Sequence, residues 1–295
     1  LEMESLLEGA YDLHVHTGPD VMNRKLDDLE MTERLQKVGM KGFGIKSHYF
    51  CTAERARLVN KVNSDVKAFG AISLNNAVGG INPIAVEMAA RDGAKIVWMP
   101  TVDAMNEEIQ FKQGKYKNPP GWAKFKQEMI DQGIETSSLT VFEDSKISNT
   151  TLDILEVIAK HNLILATGHL GRGEIFHLVK AAKDLNIKKV VITHPNFPSI
   201  NLSKEEQKTL VDMGAIIEHC FTTPHTKKVT WESVFEEINY VGYENCILSS
   251  DLGQFNAIYP DEGMKIFVQK LLNNGFNPDM INTMIKENPS YLVEG

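Results

Sequence analysis

Two histidines one residue apart, in Tyr11-Asp-Leu-His-Val-His-Thr-Gly-Pro-Asp20, are the side chains of this sequence best placed to do chemistry. Imidazoles a single strand repeat apart on one face can hold one metal ion at about 2.0–2.1 Å from each nitrogen. Tyr11 to Val15 reads as a buried strand, and Thr17-Gly-Pro breaks it. Strand alternation then points Asp12, His14 and His16 to one face, with Leu13 and Val15 packing behind. The plainer alternative is a pair of core histidines satisfied by hydrogen bonds.

Positioning such a pair requires other elements, and the chain alternates strand-like and helix-like stretches. Further strands are read at Gly42–His48, Ala68–Leu74, Ala94–Met99, Leu163–His169, Lys189–His194, Ala215–Phe221 and Cys246–Asp251. Helices fall between them. One runs Asp27–Val38, one follows a Thr52 cap, and one has Pro83 near its start. Others run Leu152–His161, Ile175–Leu185, from the capping box Ser203-Lys-Glu-Glu206 to Gly214, and Trp231–Ile238. Two closing helices follow, the last entered at Asn277-Pro278 and ending near Asn288-Pro289. Eight apolar strands each trailed by a helix predict a (β/α)8 TIM barrel, a single α/β domain over 1–295 with an extra C-terminal helix. An insertion follows strand four. Residues 103–138 are polar and carry Lys112, Lys115, Lys117, Tyr116, Trp122 and Phe125, and are read as a long lid-like loop that selects substrate or serves as a surface or oligomer contact.

In a closed barrel all strand C-termini meet at one mouth. The residues read there are His14, His16, Lys46, His48, His169, His194, Glu218 or His219, and Asp251. Arg24, Asn75, Arg172 and Gln254 follow strand ends and are candidate pocket residues, with Glu174 an alternative partner for Arg172. His161 and His177 fall in helical stretches and take structural roles, and His225 lies in a loop.

These motifs resemble the amidohydrolase superfamily over nearly the whole chain: Asp12-Leu-His-Val-His16, Gly168-His169, Thr193-His194-Pro195, Ser250-Asp251 and the closing Asn288-Pro289-Ser-Tyr-Leu292. The resemblance implies that His14, His16, His169 and Asp251 surround a metal, that His194 is a further ligand or substrate contact, and that Asp251 shuttles a proton. One departure stands out. Where binuclear members place a carboxylated lysine or glutamate after strand four, this chain has Met99-Pro-Thr-Val-Asp103. Lys46 and His48 offer a substitute, Lys46 as a carbamate or, more simply, as a cation gripping an anionic substrate group. His48 divides between metal and substrate. Glu218 fits a metal-side carboxylate or an outer partner orienting a histidine, and His219 then faces the helices.

The activity this implies is metal-dependent hydrolysis of an amide, lactone or ester in a small molecule, with an anionic group on that molecule left open. Zinc is the first choice of divalent ion, with manganese or iron as alternatives and one or two ions bound. A phosphoesterase, a mononuclear decarboxylase or isomerase, and an idle metal- or ligand-binding barrel are the competing readings. A net charge of -8 without a basic stripe argues against nucleic acid as partner. No apolar run approaches a membrane span, and the lone Cys51, Cys220 and Cys246 suggest a reduced, cytoplasmic protein, with homo-oligomers open.

Overall fold

The computed structural model describes residues 6–116, 118–134 and 136–295; Lys117 and Glu135 of the predicted insertion, and residues 1–5, lie outside the described residues. Among the described residues, eight barrel strands follow one another. They are β1 (Tyr11–Val15), β2 (Gly42–Ile45), β3 (Lys67–Phe69 and Ala71–Ser73, divided at Gly70) and β4 (Ile96–Trp98), then β5 (Ile164–Ala166), β6 (Val190–Ile192), β7 (Ile216–Cys220) and β8 (Cys246–Ser249). Each pairs in parallel with its successor. The ring closes between the last strand and the first. Asp251 N donates to His14 O at 2.9 Å, His16 N donates to Leu252 O at 2.8 Å, and Val15 bridges Leu252. Closure removes the strand edges, and here its seam runs through three of the predicted site residues.

The barrel interior is filled by Leu13, Ile96, Trp98, Ile164, Ala166, Val191 and Ile247, with Leu292 and Val293 of the C-terminal segment in the same cluster. The outer apolar layer packs the helices α1 (Asp28–Lys37), α2 (Ala53–Val62), α3 (Pro83–Arg91), α6 (Asn149–Lys160), α7 (Arg172–Asp184), α8 (Lys204–Asp212), α9 (Trp231–Val241) and α10 (Pro260–Asn273) against the strands, with α4 (Met105–Lys112) and α5 (Gly121–Asp131) between β4 and α6. The Ser203 capping box is formed as read: Glu206 N donates to Ser203 Oγ and Ser203 N to Glu206 Oε2. Among the described residues, no helix is long and apolar enough to cross a membrane.

Four expectations are corrected. Residues 103–138 are not an irregular loop, since they hold α4 (Met105–Lys112) and α5 (Gly121–Asp131), tied at their base by a parallel bridge from Ala104 to Leu139. Neither helix has a side-chain N-cap, and the start signals that sequence reading relies on are therefore missing. Strict alternation fails in β1: Leu13 joins the interior cluster while the register to β2 slips between Asp12 and Val15. Such a bulge puts consecutive residues on one side. Asp12 is consequently drawn to the seam, where its Oδ1 accepts from Ser250 N at 3.0 Å. Thr52 does not cap α2; its hydroxyl donates to Ile45 O and accepts from Ala71 N, joining β2 to β3. Finally, the last helix does not stop at Asn288-Pro289. A π-helical turn over Thr283–Glu287 leads into Asn288–Glu294, so the proline heads a new turn where its missing N–H costs little.

Candidate functional site

The C-terminal ends of the strands surround a cavity of about 450 Å³, the range of a small-molecule site. His16, Lys46, His48, His169, His194 and Asp251 all line it. His14 lies just beneath, fully buried, with its ring 5.5 Å from His16 and 5.8 Å from His194. The remaining rings form a chain, His16–His48 at 5.0 Å, His48–His169 at 6.2 Å and His169–His194 at 5.1 Å.

His14 is held from both ends. Its Nδ1 sits 3.1 Å from Glu218 Oε2, while its Nε2 is 2.9 Å from Lys46 Nζ and 3.1 Å from Asp251 Oδ1. Asp251 Oδ1 also meets His16 Nε2 at 3.0 Å, and Thr222 donates to Asp251 Oδ2 at 3.1 Å. Glu218 thus occupies the orienting position on the back of His14, and its neighbour His219 lies 3.7 Å from Glu237 on α9. Two ligand candidates sit in left-handed backbone, His194 at φ +24° and Asp251 at φ +53°, conformations that non-glycine residues hold only where the surroundings enforce them. Gly168, at φ +62°, is forced by space as well: a Cβ there would lie 2.4 Å from Met99 O, and the tight turn it permits delivers His169.

Electrostatics favours a bound cation. Burial pushes His16 down to about 3, holds His48 and His194 well below the usual imidazole range, and lowers His169. These four rings are uncharged at neutral pH and keep a lone pair for coordination. His14 differs: burial and the Lys46 cation pull it down, but the Glu218 and Asp251 carboxylates outweigh them and raise it to about 9. Burial pushes Asp251 up, yet His14 and His16 hold it well below the usual carboxylate range. Two ionised carboxylates converging on one imidazole favour positive charge at that point. The donor atoms of His14, His16 and Asp251 lie within 4.8 Å of one another, and Nδ1 of His16 and of His194 is buried without a hydrogen bond. This donor set fits a divalent cation. Cys220 Sγ lies 3.7 Å from His14 Nδ1, but burial drives its thiol well above the ordinary range, and it stays protonated.

The strand-four position holds no ligand. Asp103 is turned to Lys126 Nζ at 2.9 Å and to Asn76 N at 2.9 Å, whereas Thr101 Oγ1 contacts His48 Nδ1 at 2.8 Å. Asn75 is an outer support, donating to Thr101 Oγ1 and His48 O. Arg24 and Gln254 line the cavity, and Arg24 is neutralised by Asp20 at 2.6 Å. Arg172 is on the surface, paired with Glu206; Glu174 instead accepts from Thr140 and from Gly171 N. His161 pairs with Glu87, His177 contacts the Gly173 carbonyl, and His225 ends a short helix, Thr222–His225, that borders the cavity. Trp122 lines the mouth, with Tyr116 packed on it and Phe125 against Tyr49.

Sequence reasoning missed Thr101, Thr222 and, above all, Glu107. The last is a buried carboxylate on α4 whose Oε1 lies 2.8 Å from His169 Nδ1 and which also accepts from Ser199 and Tyr116. A carboxylate behind a histidine fixes the tautomer that presents Nε2, so the insertion supports a ligand from behind. Glu107→Ala is expected to weaken divalent-cation binding by about 10- to 100-fold, with Glu107→Gln retaining most of it. Chelator competition measures this, and an Ala variant with unchanged affinity and unchanged circular dichroism would remove Glu107 from the site. No motif announced it, because polar residues in a polar insertion look alike until the fold closes.

Solved structures share this architecture. An amidohydrolase from Pseudomonas aeruginosa is 14% identical with a TM-score of 0.69, covering 100% of this chain and 98% of its own. A probable dipeptidase from Pseudomonas aeruginosa is 9% identical at TM-score 0.65, with 99% and 96% covered. A protein named as a 2-pyrone-4,6-dicarboxylic acid hydrolase from Pseudomonas putida is 12% identical at TM-score 0.60, with 97% of each covered. At such identities the likeness is one of fold. No curated protein matches the chain in sequence. Residues 9–218 match DUF6282, described as a family of unknown function, a span that includes His14, His16, Lys46, His48, His169, His194 and Glu218 and stops short of Asp251. The chain therefore belongs to the DUF6282 family, built on the barrel seen in amidohydrolases.

Proposed function

We propose that this protein is a metal-dependent hydrolase that cleaves an amide, lactone or ester bond in a small molecule. The observation that carries this is the convergence of His14, His16 and Asp251 on one point at the barrel mouth, backed by uncharged His169 and His194. His14, His16, His169 and Asp251 would hold the cation, with His194 and His48 facing it or the substrate and Glu218 and Glu107 bracing His14 and His169. The absence of a strand-four ligand favours one cation, and the nitrogen-rich set favours zinc, with manganese or iron also accommodated. When bound, a divalent cation supplies Lewis acidity and a water that ionises near neutral pH.

The chain does the rest. Asp251 takes the proton of the attacking water and returns it to the leaving group, and its Oδ2 is kept in place for this by Thr222. Lys46 Nζ lies 2.9 Å from His14 Nε2; burial lowers its pKa while the Asp251 and Glu218 carboxylates act to keep its proton, and in its charged form it faces the oxygen that becomes negative. Trp122 and Phe197 wall the cavity and exclude water around the reacting bond. The reading is tested with a panel of lactones, aryl esters, N-acyl amides and phosphomonoesters. Hydrolysis of a carboxylic substrate that chelation abolishes and added zinc or manganese restores is the expected result. Turnover indifferent to chelation, or confined to phosphoesters, would overturn it.

A further inference from the structure

We propose that the substrate carries a carboxylate and that Lys228, at the wall of the cavity, is the group that binds it. This names the substrate class of the hydrolytic site and rests on that reading for the fate of the bound molecule. Three cations line the cavity among the described residues: Arg24, Lys46 and Lys228. Arg24 is neutralised by Asp20, and Lys46 Nζ rests on His14 Nε2. Lys228 differs from both. Its Nζ donates to Thr226 Oγ1 at 2.8 Å, and the Thr226 hydroxyl in turn donates to Thr222 O. No carboxylate lies within ion-pair distance of it among the described residues.

The side chain is half-buried, and its ammonium lies 5.7 Å from the centre of the Phe197 ring. Phe197 also packs on His194 at 4.9 Å and on His169 at 5.9 Å, so one aromatic ring separates the ammonium from the candidate ligands. A lysine pinned by a hydroxyl and an aromatic face has given up much of its rotational freedom and part of its hydration, and it retains two N–H donors without an acidic partner. That is a preorganised receptor for one negative charge. One ammonium matches a carboxylate better than a phosphate dianion, which calls for more cations or bidentate arginine. Trp122, 6.0 Å from His169, and Phe197 supply flat apolar surface between the two ends. The ligand expected is therefore a small, planar or unsaturated monocarboxylate whose hydrolysable group reaches His14, His16 and Asp251.

The experiment compares matched acids and amides, benzoate with benzamide and 2-furoate with 2-furamide, together with phenyl phosphate. Binding is measured by calorimetry on the full-length protein, as purified and after chelation, for wild type, Lys228→Met and Lys228→Arg. Each acid is expected to bind at least about tenfold tighter than its amide, in both metal states. Lys228→Met should lose that preference and Lys228→Arg keep most of it. The proposal is overturned if wild type does not prefer the acids, if the preference survives Lys228→Met, if it disappears on chelation, or if phenyl phosphate binds better than benzoate through Lys228. Loss of the hydrolase reading would register differently: carboxylate binding would still depend on Lys228 while no carboxylic ester, lactone or amide was turned over. Hydrolysis without acid preference would sink this inference alone.

Discussion

Asp251→Asn is expected to lose about 10²- to 10⁴-fold in turnover while keeping its fold, the range for removing a positioned general acid–base group. The substitution is unusually clean here. Asp251 holds φ +53°, and asparagine is among the few side chains that accept that left-handed backbone. The amide oxygen can still face His14 and His16, with the NH2 turned to Thr222 Oγ1 and the hydrogen bond there reversed. What it lacks is the ability to take a proton. The expected result is a variant with wild-type circular dichroism, much of its metal retained by atomic emission, and hydrolysis of the panel substrate reduced without a matching rise in KM. Undiminished turnover would end the proton-shuttle assignment. Loss of metal together with activity would instead make Asp251 chiefly a ligand.

The second large effect is on stability. Gly253 follows the β1–β8 seam at φ +130°, and a Cβ built there would sit 1.7 Å from His16 O. The carbonyl belongs to strand-end backbone that carries two ligand candidates and cannot step aside. Gly253→Ala should therefore cost at least about 4 kcal/mol, combining a glycine-only backbone with a steric clash. For a domain of this size the midpoint of thermal unfolding should fall by roughly 6 °C or more. Gly173 on α7 is the control, since nothing lies within 4 Å of its added Cβ. Gly173→Ala should stabilise by about 0.5–1 kcal/mol, the ordinary glycine-to-alanine gain within a helix. If the two substitutions have similar effects on the melting temperature, the close approach at the seam is not a constraint on the fold.

Both predictions concern the same few ångströms of chain, where barrel closure and site assembly coincide. Asp251 N and His14 O are paired across the seam, so the hydrogen bonds that complete the barrel also set the distance between the candidate base and the candidate ligands. A defect there would be felt in stability and in catalysis together. Lys228 and Trp122 line the same cavity from outside that seam, one on a loop and the other on the insertion. That division, rigid strand ends for chemistry and loop residues for selectivity, is the usual one in barrel enzymes.

From the amino-acid sequence alone, the barrel and most of its mouth were legible. Apolar strand runs alternate with amphipathic helices, and His14, His16, Lys46, His48, His169, His194 and Asp251 each stand at or just past the end of such a run, so one topological rule gathers them at one rim. Tertiary structure alone decided the face of Leu13, the helical state of the insertion, the partnership of Glu107 with His169, and the isolation of Lys228 among the cavity's cations. The reason is physical. Periodicity encodes which side of an element is apolar and therefore where the element packs. A bulge, an uncapped polar helix or an unpaired charge is defined by what lies across from it, and that is settled only when distant segments meet.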